Sequence, residues 1–314
     1  MSHNIFHSNY KAFAHTYSIV ARDPQTGELG VGVQSHWFSV GSIVSWGEAG
    51  VGVVATQSLV NKSFGLRGLG FLKQGKTPKE AIDILLSDDE GRDVRQVAIL
   101  DAQGRVATHT GLKCIKHAGH NVGDNFSVQA NMMLSDRVWS AMAEAFEKFT
   151  NLSLPERIIK TLEAAESVGG DIRGKQSAAL LVVAGKSTEN KWEDPIIDLR
   201  VEDHIEPLKE LNRLLRIFRA YEHMNNGDLA IEKGNMEKAL EEYDTAQKMF
   251  PENLEMMYWT AVSLANKNKL ENALVLFKKI FKKEKNWRLL TERLPHSELL
   301  NLSEEDLKKI LSLK

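Results

Sequence analysis

The residue in this chain best placed to do chemistry is Thr16, in the run Thr16-Tyr17-Ser18-Ile19-Val20-Ala21-Arg22-Asp23. A hydroxyl stands there at the mouth of an alternating, β-branched segment. If the residues up to His15 are removed, the freed α-amine lies on the same residue as the hydroxyl and can take its proton. A reference pKa of about 8 suits that role near neutrality. A threonine that merely starts a strand is the plain alternative. Attack on an amide carbonyl also needs donors for the developing oxyanion. Asn131, an amide at a strand end beside Gln129, is the first candidate, and a turn-capping asparagine is its equal competitor. Asp23 and Arg22 are candidates to orient the amine and to hold a substrate carboxylate; as a strand-end ion pair they would contribute little.

Further candidates sit at strand ends. Ser35 and His36 are adjacent in a strand and must point to opposite faces, so they cannot form a dyad with each other. Ser35 is expected to face Thr16, and His36, with Trp37 and Phe38, to line a rim or the surface. Glu48 and Gln57 end the next strands and are candidates for the substrate site. Gln176-Ser177 opens a strand after a glycine-rich turn, where it either closes the pocket or simply starts the strand. His109, Cys114, His117 and His120 form a rival constellation with the spacing of a zinc site. It lacks a paired Cys-x2-Cys, so scattered loop histidines are the default and no metal is expected. No Walker loop is present, and Gly65-x-x-Gly68-x-Gly70 has no dinucleotide context, so no cofactor is expected.

These residues need elements to position them. Period-two strands are predicted at 17–22, 29–34, 42–46 and 51–57, joined by short turns at Pro24, Gly27, Gly47 and Gly50 that favour antiparallel pairing. Thr77-Pro78-Lys79-Glu80 opens a helix through Leu86 with a capping box. Strands follow at 94–101, 105–110 and 126–131, helices at 135–149 and 154–168, and strands at 177–183 and 195–201. Two antiparallel sheets packed face to face, with helices outside, would bury the apolar face of every element. From Pro207 the pattern is purely helical. Gly227, Ala239, Leu240, Tyr243 and Ala246 recur at an offset of 34 residues as Ala261, Ala273, Leu274, Phe277 and Ile280, and a last helix lies near 304–313. That repeat resembles the tetratricopeptide unit, whose small residues admit close helix packing.

At 314 residues the chain is long enough for two domains. Its net charge of −2 is evenly spread, which argues against nucleic acid as a partner. The single cysteine excludes an internal disulfide and points to a reducing, cytoplasmic setting. No stretch approaches the ~18 apolar residues of a membrane span, so no membrane partner is expected. Residues 1–15 lack a continuous apolar core for a secretory signal, although Ala12-Phe13-Ala14 mimics a cleavage triplet.

Several strings together resemble one bacterial and archaeal family. They are Tyr17 to Pro24, Gly30-Val31-Gly32-Val33-Gln34-Ser35-His36-Trp37-Phe38, Glu48 to Gly52, Ala55-Thr56-Gln57-Ser58, Phe64 to Gly68, Gln129-Ala130-Asn131 and Gly170 to Ala178. The family is domain of unknown function 1028, grouped with the N-terminal-nucleophile (Ntn) hydrolases, and the resemblance covers roughly residues 16 to 224. It implies an α+β, four-layer αββα sandwich with Thr16 in the nucleophile's place. In many relatives that threonine directly follows the initiator Met; here fifteen residues precede it. Self-cleavage at His15–Thr16, a mis-set start codon and an uncleaved, inactive protein all remain open.

The expected organisation is an extension or propeptide at 1–15, an Ntn-hydrolase-like αββα domain at 16–206 and a tetratricopeptide-like domain at 207–314. The leading expectation is an amidohydrolase that cleaves a small amide or related C–N bond, and that assembles as a homo-oligomer. The alternative is a non-catalytic body that uses its helical repeats to dimerise or capture a protein partner. A metal-dependent hydrolase centred on Cys114 is the third reading.

Overall fold

The structure, a computed structural model, describes residues 13, 14, 16–188 and 190–313. It is a mixed α+β chain that divides into two compact units, the first ending at Arg213 and the second beginning at Leu214. No helix among the described residues is long and apolar enough to cross a membrane.

Two antiparallel sheets build the first unit. One contains β1 (Phe13–Ala14), β4 (Ser45–Glu48), β5 (Gly52–Leu59), β6 (Arg95–Asp101) and β7 (Val106–Thr110), with β1 and β4 both paired to β5. The other has the order β11-β10-β3-β2-β9-β8, from β2 (Thr16–Arg22), β3 (Leu29–Ser35), β8 (Gly119–Gly123), β9 (Phe126–Ala130), β10 (Ser177–Val183) and β11 (Pro195–Val201). The chain therefore passes from one sheet to the other between Ala14 and Thr16.

Alternation decides what each strand buries. In β5 and β6, Val53, Ala55, Ala98 and Leu100 join Val20, Val31 and Val33 in a core between the sheets. Their neighbours Val54, Val97 and Ile99 point the other way, into a cluster with Phe64, Leu69, Ala81, Ile82 and Leu85. Those residues come from α2 (Ser63–Lys73) and α3 (Pro78–Ser87), the latter closed by the expected Thr77–Glu80 capping box. Strands covered on both faces read as nearly continuous apolar runs, as these do. On the other sheet, α4 (Val138–Lys148) packs over β8 and β9, and α5 (Leu154–Ser167) over β2 and β3. Gly32 makes the α5 approach possible: a Cβ there would lie 2.2 Å from Ile158 Cγ2.

Two local expectations are corrected. The strand expected at 42–46 is instead a helical turn, α1 (Gly41–Val44), followed by β4. The glycine-rich stretch at 65–70, for which no element was expected, lies within helix α2, and glycine is required at 65 because the Trp46 indole stands 2.3 Å from where its Cβ would be. The loop expected after Cys114 contains β8, an edge strand with little apolar alternation.

The second unit is helical. Its helices are the latter part of α6 (Pro207–Glu232), α7 (Met236–Met249), α8 (Leu254–Asn266), α9 (Leu270–Lys283), α10 (Asn286–Arg293) and α11 (Glu304–Leu311). The repeated positions Ala239, Tyr243, Ala246, Ala261, Ala273, Phe277 and Ile280 are all fully buried. Close approach depends on small residues here too, since a Cβ on Gly227 would meet Tyr243 Cε1 at 2.4 Å.

Candidate functional site

The gap between the sheets changes character along its length. At one end the inward positions are Val20, Val31, Val53 and Leu100. At the other, the same alternating phase delivers Thr16 and Ser18 from β2, Ser35 from β3, Gln57 from β5, Gln96 from β6 and Gln129 from β9, with Asn131 just beyond it. All seven are fully buried. A buried amide costs free energy unless it is hydrogen-bonded, so this concentration must satisfy itself.

It does so, apart from Gln129 Oε1, by converging on Thr16. The Thr16 hydroxyl donates to Ser35 Oγ at 3.2 Å. The Thr16 carbonyl accepts from Gln57 Nε2 at 3.0 Å and from the Asn131 backbone N–H at 3.1 Å, with Asn131 Nδ2 at 3.5 Å. Gln96 is the hub behind them. Its Oε1 accepts from Gln57 Nε2 at 2.8 Å and from Asn131 Nδ2 at 2.9 Å. Its Nε2 donates to the Ala130 carbonyl at 2.9 Å, to Thr110 Oγ1 at 2.9 Å and to the Gly119 carbonyl at 3.2 Å. Those partners fix which end of the Gln96 amide faces Thr16, and so fix the other two amides. Ser18 donates to Gln57 Oε1 at 2.6 Å and accepts from Gln129 Nε2 at 3.2 Å.

The backbone is strained beside the two amides that touch Thr16. Ser58 follows Gln57 with φ +72° and Met132 follows Asn131 with φ +61°. Left-handed conformations at non-glycine residues cost on the order of 1–2 kcal/mol each and gather at functional sites. Ser58 is also the residue that pairs with Ala14 in the β1–β5 ladder.

Of the expected site residues, Thr16, Ser35, Gln57 and Asn131 are thus brought together. Arg22 and Asp23 are not: β2 is extended, and Arg22 pairs with Leu29 at the end remote from the Thr16–Ser35 pair. Six residues of strand separate them from Thr16, about 20 Å. Glu48 lies beside Gly52, at the far end of β5 from Gln57, and pairs with Lys73 at 2.6 Å. His36 is exposed on the opposite face from Ser35, its backbone N–H donating to Asp171 Oδ2. Gln176 reaches Asp203, and the buried Ser177 hydroxyl binds the Trp37 carbonyl and accepts from the Val40 N–H, holding the turn after β3. The residues missed from the sequence as site members are Ser18, Gln96 and Gln129. The signal was partial: Gln96 stands in the inward phase of a strand whose other inward positions, Ala98 and Leu100, are apolar. Ser18 and Gln129 instead share their faces with Thr16 and Ser127, and the pairing that joins these strand ends is not written in any one strand.

The rival constellation disperses. His109 binds the Arg92 carbonyl, His120 Nδ1 lies 2.8 Å from Thr110 Oγ1, and Cys114 Sγ donates to the Arg95 carbonyl. No group of three or more His, Cys, Asp or Glu side chains positioned to hold a metal occurs among the described residues. Burial pushes the Cys114 thiol up, opposite to what a nucleophilic thiolate needs. On the outer face of β2, Tyr17 donates to Glu166 Oε1 at 2.6 Å, and burial and that carboxylate raise its pKa well above the usual value.

The comparisons with known proteins follow the same boundary. The model of the family of unknown function DUF1028 matches residues 16–211, beginning at Thr16. The chain belongs to this family. A crystal structure of a DUF1028 protein from Silicibacter pomeroyi is similar at 30% identity, over 64% of this chain and 88% of that one, with a TM-score of 0.58. No curated protein matches the chain. As a DUF1028 member, this chain carries a further helical unit beyond the matched residues.

Proposed function

We propose that this DUF1028 chain is the latent form of an Ntn-type amidohydrolase. In this reading the paired sheets with their covering helices are the αββα four-layer sandwich of that class, and Thr16 is its nucleophile. The observation that carries it is the convergence of Ser35, Gln57, Gln96 and Asn131 on a threonine at the first position of an interior strand. Such a polar cluster at the core's edge has no packing advantage over the valines further along the same gap. In the uncut chain the Thr16 nitrogen is part of a peptide and its side chain is fully buried, so neither base nor access exists. Scission between His15 and Thr16, and displacement of β1 from β5, would supply both. The new amine would accept the hydroxyl proton, the oxygen would attack an amide carbonyl, the Asn131 amide with nearby backbone N–H groups would hold the oxyanion, and the protonated amine would pass its proton to the departing nitrogen as the C–N bond breaks. Water would then release the acyl-enzyme.

Intact-mass measurement of the purified protein tests this first: the expected N-terminus is Thr16. The processed form should hydrolyse a member of a small-amide panel, and Thr16→Ala should abolish turnover. A full-length product inert across the panel sinks the reading.

One observation favours a second reading. Complete burial of Thr16 suits a non-catalytic body, with the helical unit read as tetratricopeptide-like repeats that dimerise or grip a protein partner. Partner binding that is lost on deletion of residues 220–314, together with an uncut N-terminus, would establish it.

A further inference from the structure

At the other end of β2, away from Thr16, the β2–β3 turn, the β8–β9 turn and the α4–α5 connection enclose a cavity of about 560 Å³. That volume is in the range of small-molecule sites. Two guanidinium groups line it, from Arg22 and Arg157. Arg157 lies over the Phe146 ring, its Cζ 3.6 Å from the centroid, and its Nε donates to the Phe146 carbonyl at 2.6 Å. Phe146 is itself held against Phe126, centroids 4.6 Å apart. The guanidinium plane is therefore fixed before any ligand arrives, a preorganisation that lowers the cost of binding.

No hydrogen bond or ion pair occupies the terminal nitrogens of Arg157 among the described residues. Burial pulls its pKa down, and the charges of Asp23 and Glu147 offset only part of that. A half-buried cation without a bonded counter-charge is an uncommon arrangement. Arg22 is steadied by Asn125, with Nη1 donating to Oδ1 at 3.2 Å.

The carboxylates around the cavity decide the ligand class. Asp23 Oδ1 is occupied by the Gln25 and Thr26 N–H groups of the turn. Asp124 and Glu147 are exposed at the rim, without an ion pair among the described residues. A simple anion would be drawn to the arginines and repelled by this rim. A molecule that carries a carboxylate and an ammonium a few ångströms apart meets both signs. We propose that this cavity binds a free α-amino acid, its carboxylate on the terminal nitrogens of Arg157 and its ammonium toward Asp23 and Glu147.

Titration calorimetry on the full chain tests the proposal with a panel of free amino acids, their N-acetyl and C-amide forms, acetate and inorganic phosphate. At least one free amino acid should bind saturably, and each capped form should bind at least about tenfold more weakly. Arg157→Gln should abolish binding, and Glu147→Gln, an exposed change that leaves the Phe146 contacts intact, should weaken it by about three- to tenfold. If Arg157→Gln loses its thermal transition, Glu147→Gln and the capped ligands still decide. No saturable heat from any free amino acid at millimolar concentration overturns the proposal. So does acetate, phosphate or an N-acetyl form that binds as tightly as the free amino acid.

Discussion

Gln96 shows how much at this site depends on one side chain that makes no hydrogen bond to Thr16 itself. It accepts from the two amides that touch Thr16 and donates to the backbone of two strands. Gln96→Leu keeps the volume but leaves the donors of Gln57 and Asn131 without that acceptor. Each buried unsatisfied group costs about 1–3 kcal/mol, so urea denaturation should show a loss of about 2–5 kcal/mol. A loss under about 0.5 kcal/mol would mean that the amides re-pair freely and are not held. At this scale the sequence was only partly legible. Thr16, Ser35, Gln57 and Asn131 could be singled out because residue type and strand-end position coincide. Gln96 and Gln129 could not be assigned to the site until pairing showed which ends of which strands meet. Arg22 and Asp23 misled for the converse reason: closeness to Thr16 along an extended strand is distance in space.

At the scale of elements, alternation and capping carried most of the information. The β2 and β3 strands and the Thr77 cap follow local rules, whereas α2 defies them, because a tryptophan from another element makes glycine necessary in a helix. The Gly32 contact yields a direct test. Gly32→Ala should destabilise by about 1–3 kcal/mol, by driving Ile158 and α5 off the sheet. Ile158→Ala made with it should cost less than the two single changes added together; strict additivity in chemical denaturation would show that the contact is not the cause. A second test concerns the join of α3, β5 and β6. Arg95 donates to Asp89 Oδ2 at 2.7 Å and to the Leu59 carbonyl, and both charged residues are almost fully buried. Burial alone would raise the Asp89 carboxyl, but hydrogen bonds from Arg95 and the Gly91 N–H outweigh it and hold the pKa below its ordinary value. A folded-state pKa below the unfolded one contributes stability at pH values above the unfolded pKa, near 4, and that stability drains away as pH falls through the folded value. Thermal melts between pH 6 and about 2 should therefore show Asp89→Asn less stable at pH 6 but less sensitive to acid. Parallel pH curves for the two proteins would exclude the pair as an acid-labile element.

At the scale of the molecule, each unit has apolar clusters of its own among the described residues. The first is built between and around sheets, the second from clusters centred on Tyr243 and Tyr258. Calorimetry should accordingly resolve more than one transition. The Gly32 contact with Ile158 belongs to the first unit and the Gly227 contact with Tyr243 to the second, so Gly32→Ala and Gly227→Ala should lower different transitions. A single two-state endotherm that both variants shift alike would show that the units melt as one. The helical C-terminal part was legible from the change to pure helix. The exact division was not, because α6 (Pro207–Glu232) runs without a break through the point where one unit ends and the other begins.

The place of β2 within its sheet has one more consequence. A chain terminus ordinarily frays, because nothing holds it on at least one side. Here Thr16 pairs with Ser35 on one flank, and its carbonyl is bound by the Asn131 N–H on the other. An end created at this residue would be gripped from both directions, and a group that is usually the loosest in a protein would become a fixed reagent.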